Sequence, residues 1–420
     1  MYHKTELSNG IRIITERLEH FKSVSLGIWV GTGSRDEDEK LNGISHFIEH
    51  MIFKGTPRRD TLSIAKELDA IGGLSNAFTG KENTCFHSRV LDKHFPTLAE
   101  ILSDIFLNSN FDPDNINRER QVILQEISMV EDSPEEQVHE LFNRQFFNNH
   151  PLGMSVLGSS ETITNIKRDT ILDYMSRCYS PERIIIAAVG NVEHNEIVDA
   201  FEKLFIGLKP AEEKEKKYTY DIDRNIRCYY KELEQTNICI GGAAPSLSSE
   251  KRYAGALLNT ILGGNMSSRL FQEVREKRGL AYSIYSYFSA YMDAGILGVC
   301  AGTDSREVNN VLEVISNEIV KIQEGNLSEE DLQMARDHII GNIMLGSENT
   351  DSRMMRLAKN EFVFGRHVEY EELIENLEQV TLDDVIDCMK EAFSERNVAV
   401  TTLGKLKRED LSFSPGSIFS

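Results

Sequence analysis

The chain of 420 residues lacks three things, and each lack narrows its function. Its six cysteines, Cys85, Cys178, Cys228, Cys239, Cys300 and Cys388, include no C-x-x-C pair. Most lie in apolar runs, so they read as reduced core residues rather than zinc ligands or a disulfide framework. Basic residues are outnumbered, with 46 Lys and Arg against 67 Asp and Glu and a formal net charge of −21. That balance argues against a nucleic-acid binder, which would carry basic patches. It suits a basic substrate through long-range steering, and it equally serves the solubility of a cytosolic protein. There is also no run of about 18 apolar residues, so no membrane span is expected. The stretch Met1–Ile13 has neither an apolar signal core nor the Ser/Arg-rich, acid-poor texture of a transit peptide. A bacterial cytoplasm is the expected compartment.

What is present is an ordinary globular composition, 40% hydrophobic and 27% charged. The length allows two or more domains with full cores. Asn9-Gly10 marks a hairpin turn, and Ser23–Val30 alternates as a half-buried strand. Residues 31–42 form a polar loop leading into a helix that stops near Gly55 to Pro57. Two strands, Leu74–Thr79 and Glu82–Val90, precede helices over Phe95–Asn108 and Asn115–Glu131. A buried strand covers Arg183–Gly190. Residues 208–218 are charged with no apolar period, which makes them the best linker in the chain.

After that linker the pattern repeats. Ser180–Val192 resembles Ser394–Leu406, with Arg183 on Arg396, an offset of 213. The strand Val24–Val30 and the helix after it resemble Ile238–Ala243 and Tyr253–Leu262, with His46 on Leu257, an offset of 211. Two matches at nearly one offset predict a duplicated domain of roughly 210 residues, each copy mixing antiparallel strands with helices, an α+β class. The expected division is 1–207, a linker at 208–222, and 223–420. The second copy carries Leu257 and Ile261 where the first carries His46 and His50, so only the first can bind metal through this helix. The second is then free to hold substrate.

The chemistry concentrates in Leu41–Thr56. His46 and His50 are four residues apart and share a helix face, with Glu49 beside it. This H-x-x-E-H order reverses the H-E-x-x-H arrangement. Two imidazoles and an adjacent carboxylate on rigid backbone are the first parts of a catalytic zinc site, which needs a third protein ligand. Glu119 and Glu126 are seven residues apart on a downstream helix, within about 20° of one another around its axis. Spacing alone does not choose between them, nor does it exclude a plain solvated face. The remaining histidines show no metal spacing; His87, in a strand beside Cys85, reads as a core histidine with an outer-shell role as the alternative.

His46–His50, a glutamate 76 residues beyond His50, and the two-domain repeat together resemble the pitrilysin family of zinc metallopeptidases, which includes the mitochondrial processing peptidases and insulin-degrading enzyme. The likeness runs from Glu6 to about Gly404 and is closest to the bacterial processing-peptidase-like branch. It implies one zinc ion per chain on His46, His50 and Glu126, Glu49 as general base, and Glu119 as a supporting acid that is not a ligand. In the second half, Arg275 and Tyr282 match an Arg/Tyr pair of the family, which implies that they reach the substrate carbonyl from the second domain; Arg278 competes for that role. Gly73–Thr79 resembles the family's peptide-binding edge strand, with Asn76 and Ala77 as the positions carried over. The resemblance implies an endopeptidase acting on short or unfolded peptides in a chamber between two domains, and it leans toward a homodimer. The alternatives are a non-catalytic or regulatory subunit of a processing-peptidase-like complex, or a zinc hydrolase of a non-peptide substrate. Relatives of the first kind lose the ligands, which this chain retains.

Overall fold

The structure, a computed structural model, describes residues 1–210, 221–394 and 396–414. The described residues fall into two compact units, each with its own sheet and core. Neither is contiguous in sequence. The first comprises Met1–Met129, 154–210 and Leu345–His367; the second comprises Val130–Gly153, 221–344 and the residues from Val368 onward. Most of the expected linker, 211–220, lies outside the described residues.

The first unit holds six strands: β1 (Tyr2–Glu6), β2 (Arg12–Arg17), β3 (Ser23–Val30), β4 (Leu74–Thr79), β5 (Thr84–Leu91) and β6 (Ile184–Gly190). Their order is β1-β2-β6-β3-β5-β4, antiparallel except where β2 runs parallel to β6. The central strands are buried almost throughout, as their Val/Ile-rich composition requires. β4 forms one edge. The second unit holds β7 (Ile226–Tyr230), β8 (Thr236–Ala243), β9 (Ala281–Ala290), β10 (Gly295–Thr303) and β11 (Ala399–Gly404), ordered β7-β11-β8-β10-β9. Here β7 runs parallel to β11 and the other pairs are antiparallel. Strand for strand, β7, β11, β8, β10 and β9 repeat β2, β6, β3, β5 and β4. The duplication is therefore visible in topology, and the α+β class holds for both units.

The discontinuity departs from the contiguous halves that the repeat predicts, and its cause is side-chain packing. Helix Thr350–Phe364, from the C-terminal half of the sequence, covers the sheet of the first unit. Met354, Leu357 and Ala358 pack with Ile14, Trp29, Cys85 and Ile185. The Trp29 indole N–H lies 3.2 Å from Met354 Sδ, and Ser25 Oγ lies 2.5 Å from an Asp351 oxygen. The buried Glu361 carboxylate accepts from Lys4 at 2.8 Å and from Arg12 at 3.2 Å. In the second unit the corresponding place is filled by helix Pro134–Phe146, from the N-terminal half. Phe142 and Phe146 pack with Ala399 and Leu403, and Gln145 accepts from Thr401 at 2.6 Å.

The expectation of six reduced cysteines fails. Cys239 and Cys300 are joined as a disulfide, whereas Cys85, Cys178, Cys228 and Cys388 form none. No sequence motif links two cysteines 61 residues apart; the antiparallel register of β8 and β10 sets them directly opposite. As expected, no helix among the described residues is long and apolar enough to cross a membrane.

Trp29 is the only tryptophan of the chain and reports on the helix that covers its sheet. Met354→Ala leaves a cavity at a fully buried site. It is expected to cost about 2–5 kcal/mol in denaturant unfolding and to shift the tryptophan emission to longer wavelength. Unchanged emission and stability would contradict this packing.

Candidate metal centre

The histidine helix spans Ile44–Ile52 and buries Ile44, Phe47, Ile48, Met51 and Ile52, which fixes its rotation. The remaining face carries His46, Glu49 and His50. Its N-terminus is set by Gly43, at φ 93°, where an added Cβ would lie 2.6 Å from the Leu157 carbonyl oxygen. No residue other than glycine fits there. The free amides of that terminus are met by Glu37. Its carboxylate accepts from the backbone N–H of Gly43 at 2.7 Å and of Ser45 at 2.8 Å, and from Asn42 Nδ2 at 3.0 Å. A buried carboxylate thus takes the place of an N-cap side chain, where the helix dipole favours negative charge.

A second helix, Pro113–Asp132, delivers Glu119 and Glu126, anchored by Ile116, Ile123 and Ile127 in the core. One Glu126 oxygen lies 3.7 Å from His46 Nε2 and 3.6 Å from His50 Nε2. One donor atom from each of His46, His50 and Glu126 falls within 4.8 Å of the others. That Glu126 oxygen is buried with no hydrogen-bond partner. Glu119, the alternative that spacing left open, takes another position. It bonds His50 Nδ1 at 3.2 Å and accepts from Lys54 Nζ at 2.7 Å. This contact places the proton of His50 on Nδ1 and leaves the Nε2 lone pair facing Glu126, the usual outer-shell arrangement of a metal-ligating histidine.

Electrostatics favour the unprotonated form of His46. Burial, with the neighbouring His50 second, lowers the His46 imidazole to about 4, so it stays neutral. Burial raises the Glu49 carboxyl above its usual range, partly opposed by the Thr79 hydroxyl, which donates to Glu49 at 2.6 Å. Two imidazoles and one carboxylate with an orphaned buried oxygen form a donor set that fits zinc and leaves its fourth position open. His87 is not among these donors; its Nδ1 is buried without a partner, so it is not the satisfied core histidine expected.

Thr79 ends edge strand β4, on which Asn76 and Ala77 also lie. Asn76 Oδ1 accepts from the Ala77 backbone N–H at 2.9 Å, so one edge amide already has a side-chain partner. Arg275 and Tyr282 belong to the second unit. Arg275 lies on a wide helical turn, Phe271–Glu276, and its guanidinium stacks 4.7 Å from the Phe271 ring and 5.6 Å from that of Tyr282. Tyr282, on edge strand β9, is 78% exposed. Arg278 is engaged with Glu273. Sequence reasoning missed Glu37 and Thr79. The only hint of Glu37 was an acidic residue shortly before a glycine-led helix.

Sequence profiles of known families match most of the chain. One described as Insulinase (Peptidase family M16) covers residues 12–160, and one described as Peptidase M16 inactive domain covers residues 165–339. An uncharacterized zinc protease of Bacillus subtilis is 38% identical over 400 residues, 94% of this chain and 96% of that protein. Another, of Streptomyces coelicolor, is 37% identical over 417 residues, 97% of this chain and 91% of that protein. Among solved structures, a protease from Helicobacter pylori superposes with a TM-score of 0.90 at 20% identity, covering 96% of this chain and 99% of that one. A Pseudomonas fluorescens structure described as a peptidase M16 inactive domain gives 0.89 at 17% identity, covering 97% and 98%. At those identities the two structures share the fold.

Burial raises Glu37 from 4.5 to about 7, outweighing the hydrogen bonds from Ser45, Gly43 and Asn42. Between those values the folded protein holds a proton that the unfolded chain releases, so the Glu37 contribution becomes more favourable as pH falls through that window. Its ionised form is a cost above it. The unfolding free energy of the wild type minus that of Glu37→Gln is expected to rise by up to about 3 kcal/mol from pH 8 to pH 4.5. A difference independent of pH would contradict this.

Proposed function

The chain belongs to the M16 family of peptidases, and on that footing we propose that it is a zinc-dependent endopeptidase of short or unfolded peptides. The observation that carries this reading is the buried, unpartnered Glu126 oxygen facing Nε2 of both histidines. Hydrogen bonding leaves it unsatisfied, and a cation held by His46, His50 and Glu126 would satisfy it. When bound, zinc supplies the Lewis acidity that lowers the pKa of water toward about 7 and polarises a carbonyl.

The protein's own residues supply the rest. Glu49 stays off the metal and acts as general base, taking a proton from the attacking water and passing it to the leaving amine. Its raised pKa suits that exchange. Thr79 fixes its carboxylate, so the base is aimed before substrate arrives. Glu119 and Lys54 hold the His50 ring in its ligating orientation. An extended peptide adds to the free edge of β4, where Asn76 and Ala77 lie, through backbone hydrogen bonds that read conformation more than sequence. Half-buried Arg275 and the exposed Tyr282 beside it are assigned as donors to the substrate carbonyl. We place the enzyme in a bacterial cytoplasm, in keeping with its bacterial relatives, and take a homodimer as the assembly to test.

Hydrolysis of a quenched fluorogenic peptide library, with and without chelator, tests this function. Wild type should lose activity with chelator and regain it with zinc, while Glu49→Gln should keep stoichiometric zinc and lose about 10²–10⁴-fold in kcat. Stoichiometric zinc with no cleavage of any peptide would instead favour the regulatory-subunit reading. Glu126→Gln is expected to lower zinc occupancy more than Glu119→Gln, as measured by elemental analysis after dialysis. Equal losses would reverse the assignment of ligand and support.

A further inference from the structure

Away from the histidine helix, the second unit holds another cluster of metal-binding side chains. Cys239 on β8 and Cys300 on β10 face each other across the ladder, with Cα atoms 4.5 Å apart, and both are buried. Helix Pro134–Phe146 sets His139 beside them, its Nδ1 4.0 Å from Cys300 Sγ. One donor atom from each of the three lies within 4.8 Å of the others.

The hydrogen bonds around His139 define which nitrogen faces sulfur. Tyr285 donates its hydroxyl to Glu135 at 2.9 Å, so its oxygen accepts from His139 Nε2, 2.7 Å away. The proton therefore sits on Nε2, and the Nδ1 lone pair points at the cysteine pair. Burial lowers the His139 pKa and keeps the ring neutral. A disulfide offers this lone pair no proton to accept. A thiol or a cation would satisfy it. A carboxylate acting through a phenol on the far side of the imidazole is also how an outer shell orients a ligating histidine.

We propose that Cys239, Cys300 and His139 form a redox-gated site for a thiophilic divalent cation of the zinc class, closed by the disulfide and opened by its reduction. A dithiol or phosphine reductant supplies two electrons, is itself oxidised, and with two protons converts the disulfide to two thiols. A divalent cation then displaces both thiol protons, and two thiolates with one neutral imidazole give an uncharged core suited to a buried position. Zinc–sulfur bonds of about 2.3 Å and zinc–nitrogen bonds of about 2.0 Å are within reach of this cluster once the sulfurs part. Soft thiolates with an imidazole select such ions over magnesium or calcium.

Cobalt(II) titration of the full chain tests the proposal, because thiolate ligation gives a sulfur-to-cobalt charge-transfer absorption that a His/His/Glu site cannot give. The folded protein treated with a phosphine should release two thiols and show this absorption, with one cobalt per chain bound beyond that taken up by the oxidised protein. The oxidised protein should show none. In the reduced state, Cys239→Ser should abolish the band, and His139→Ala should weaken cobalt binding roughly tenfold or more. Failure of phosphine to open the disulfide in the folded protein, absence of the band after reduction, or unchanged affinity in a folded His139→Ala protein would each overturn it. The reduced-against-oxidised comparison needs no substitution, so it decides even where a variant does not fold. Its outcome is independent of peptidase activity.

Discussion

A single carboxylate oxygen, that of Glu126 between two imidazoles, is the constraint on which the first unit turns. Leaving a buried polar atom unsatisfied costs about 1–3 kcal/mol. The fold bears that cost because two helices are fixed independently of each other, the histidine helix by its apolar face and the glutamate helix by Ile116, Ile123 and Ile127. The convergence is therefore imposed by packing, and the proposed cation would be the partner of all three donors. Around it the protein spends further polar contacts on aim: Glu119 on His50, Thr79 on Glu49, and Glu37 on the helix terminus.

The duplicated unit shows what the same scaffold does without this constraint. At the positions of His46 and His50, helix Arg252–Leu262 carries Leu257 and Ile261, both buried. The helix is then an ordinary core element. The groups proposed for the second unit lie elsewhere, in half-buried Arg275 beside exposed Tyr282 on edge strand β9 and in the sulfur cluster between β8 and β10. One topology thus places the groups proposed to be functional at different points in its two copies.

Much of this was legible in the sequence because it is local or periodic. His46, Glu49 and His50 lie within one helical turn and a half, and Glu119 and Glu126 within two turns. The strand–helix repeat declared the duplication. What the sequence concealed depends on through-space neighbours. Spacing leaves Glu126 and Glu119 open, and the helix crossing shows which one faces Nε2 and which faces Nδ1. Glu37 and Thr79 carry no motif, since a capping carboxylate from a loop and a hydroxyl at a strand end are defined by what they touch. Helices Pro134–Phe146 and Thr350–Phe364 cover sheets built mainly from the other half of the chain, a choice made by long-range packing of Trp29 on Met354 and of Phe142 on β11. The Cys239–Cys300 pair follows from strand register, which no spacing rule encodes.

The most direct test of the central claim is X-ray absorption at the zinc edge on the oxidised full chain loaded with one equivalent of zinc. The geometry predicts two imidazoles and further oxygen donors, with zinc–nitrogen and zinc–oxygen distances of about 2.0–2.2 Å and no sulfur shell. A sulfur shell near about 2.3 Å, or a spectrum without the signature of imidazole, would contradict the assignment of His46, His50 and Glu126 as the metal centre.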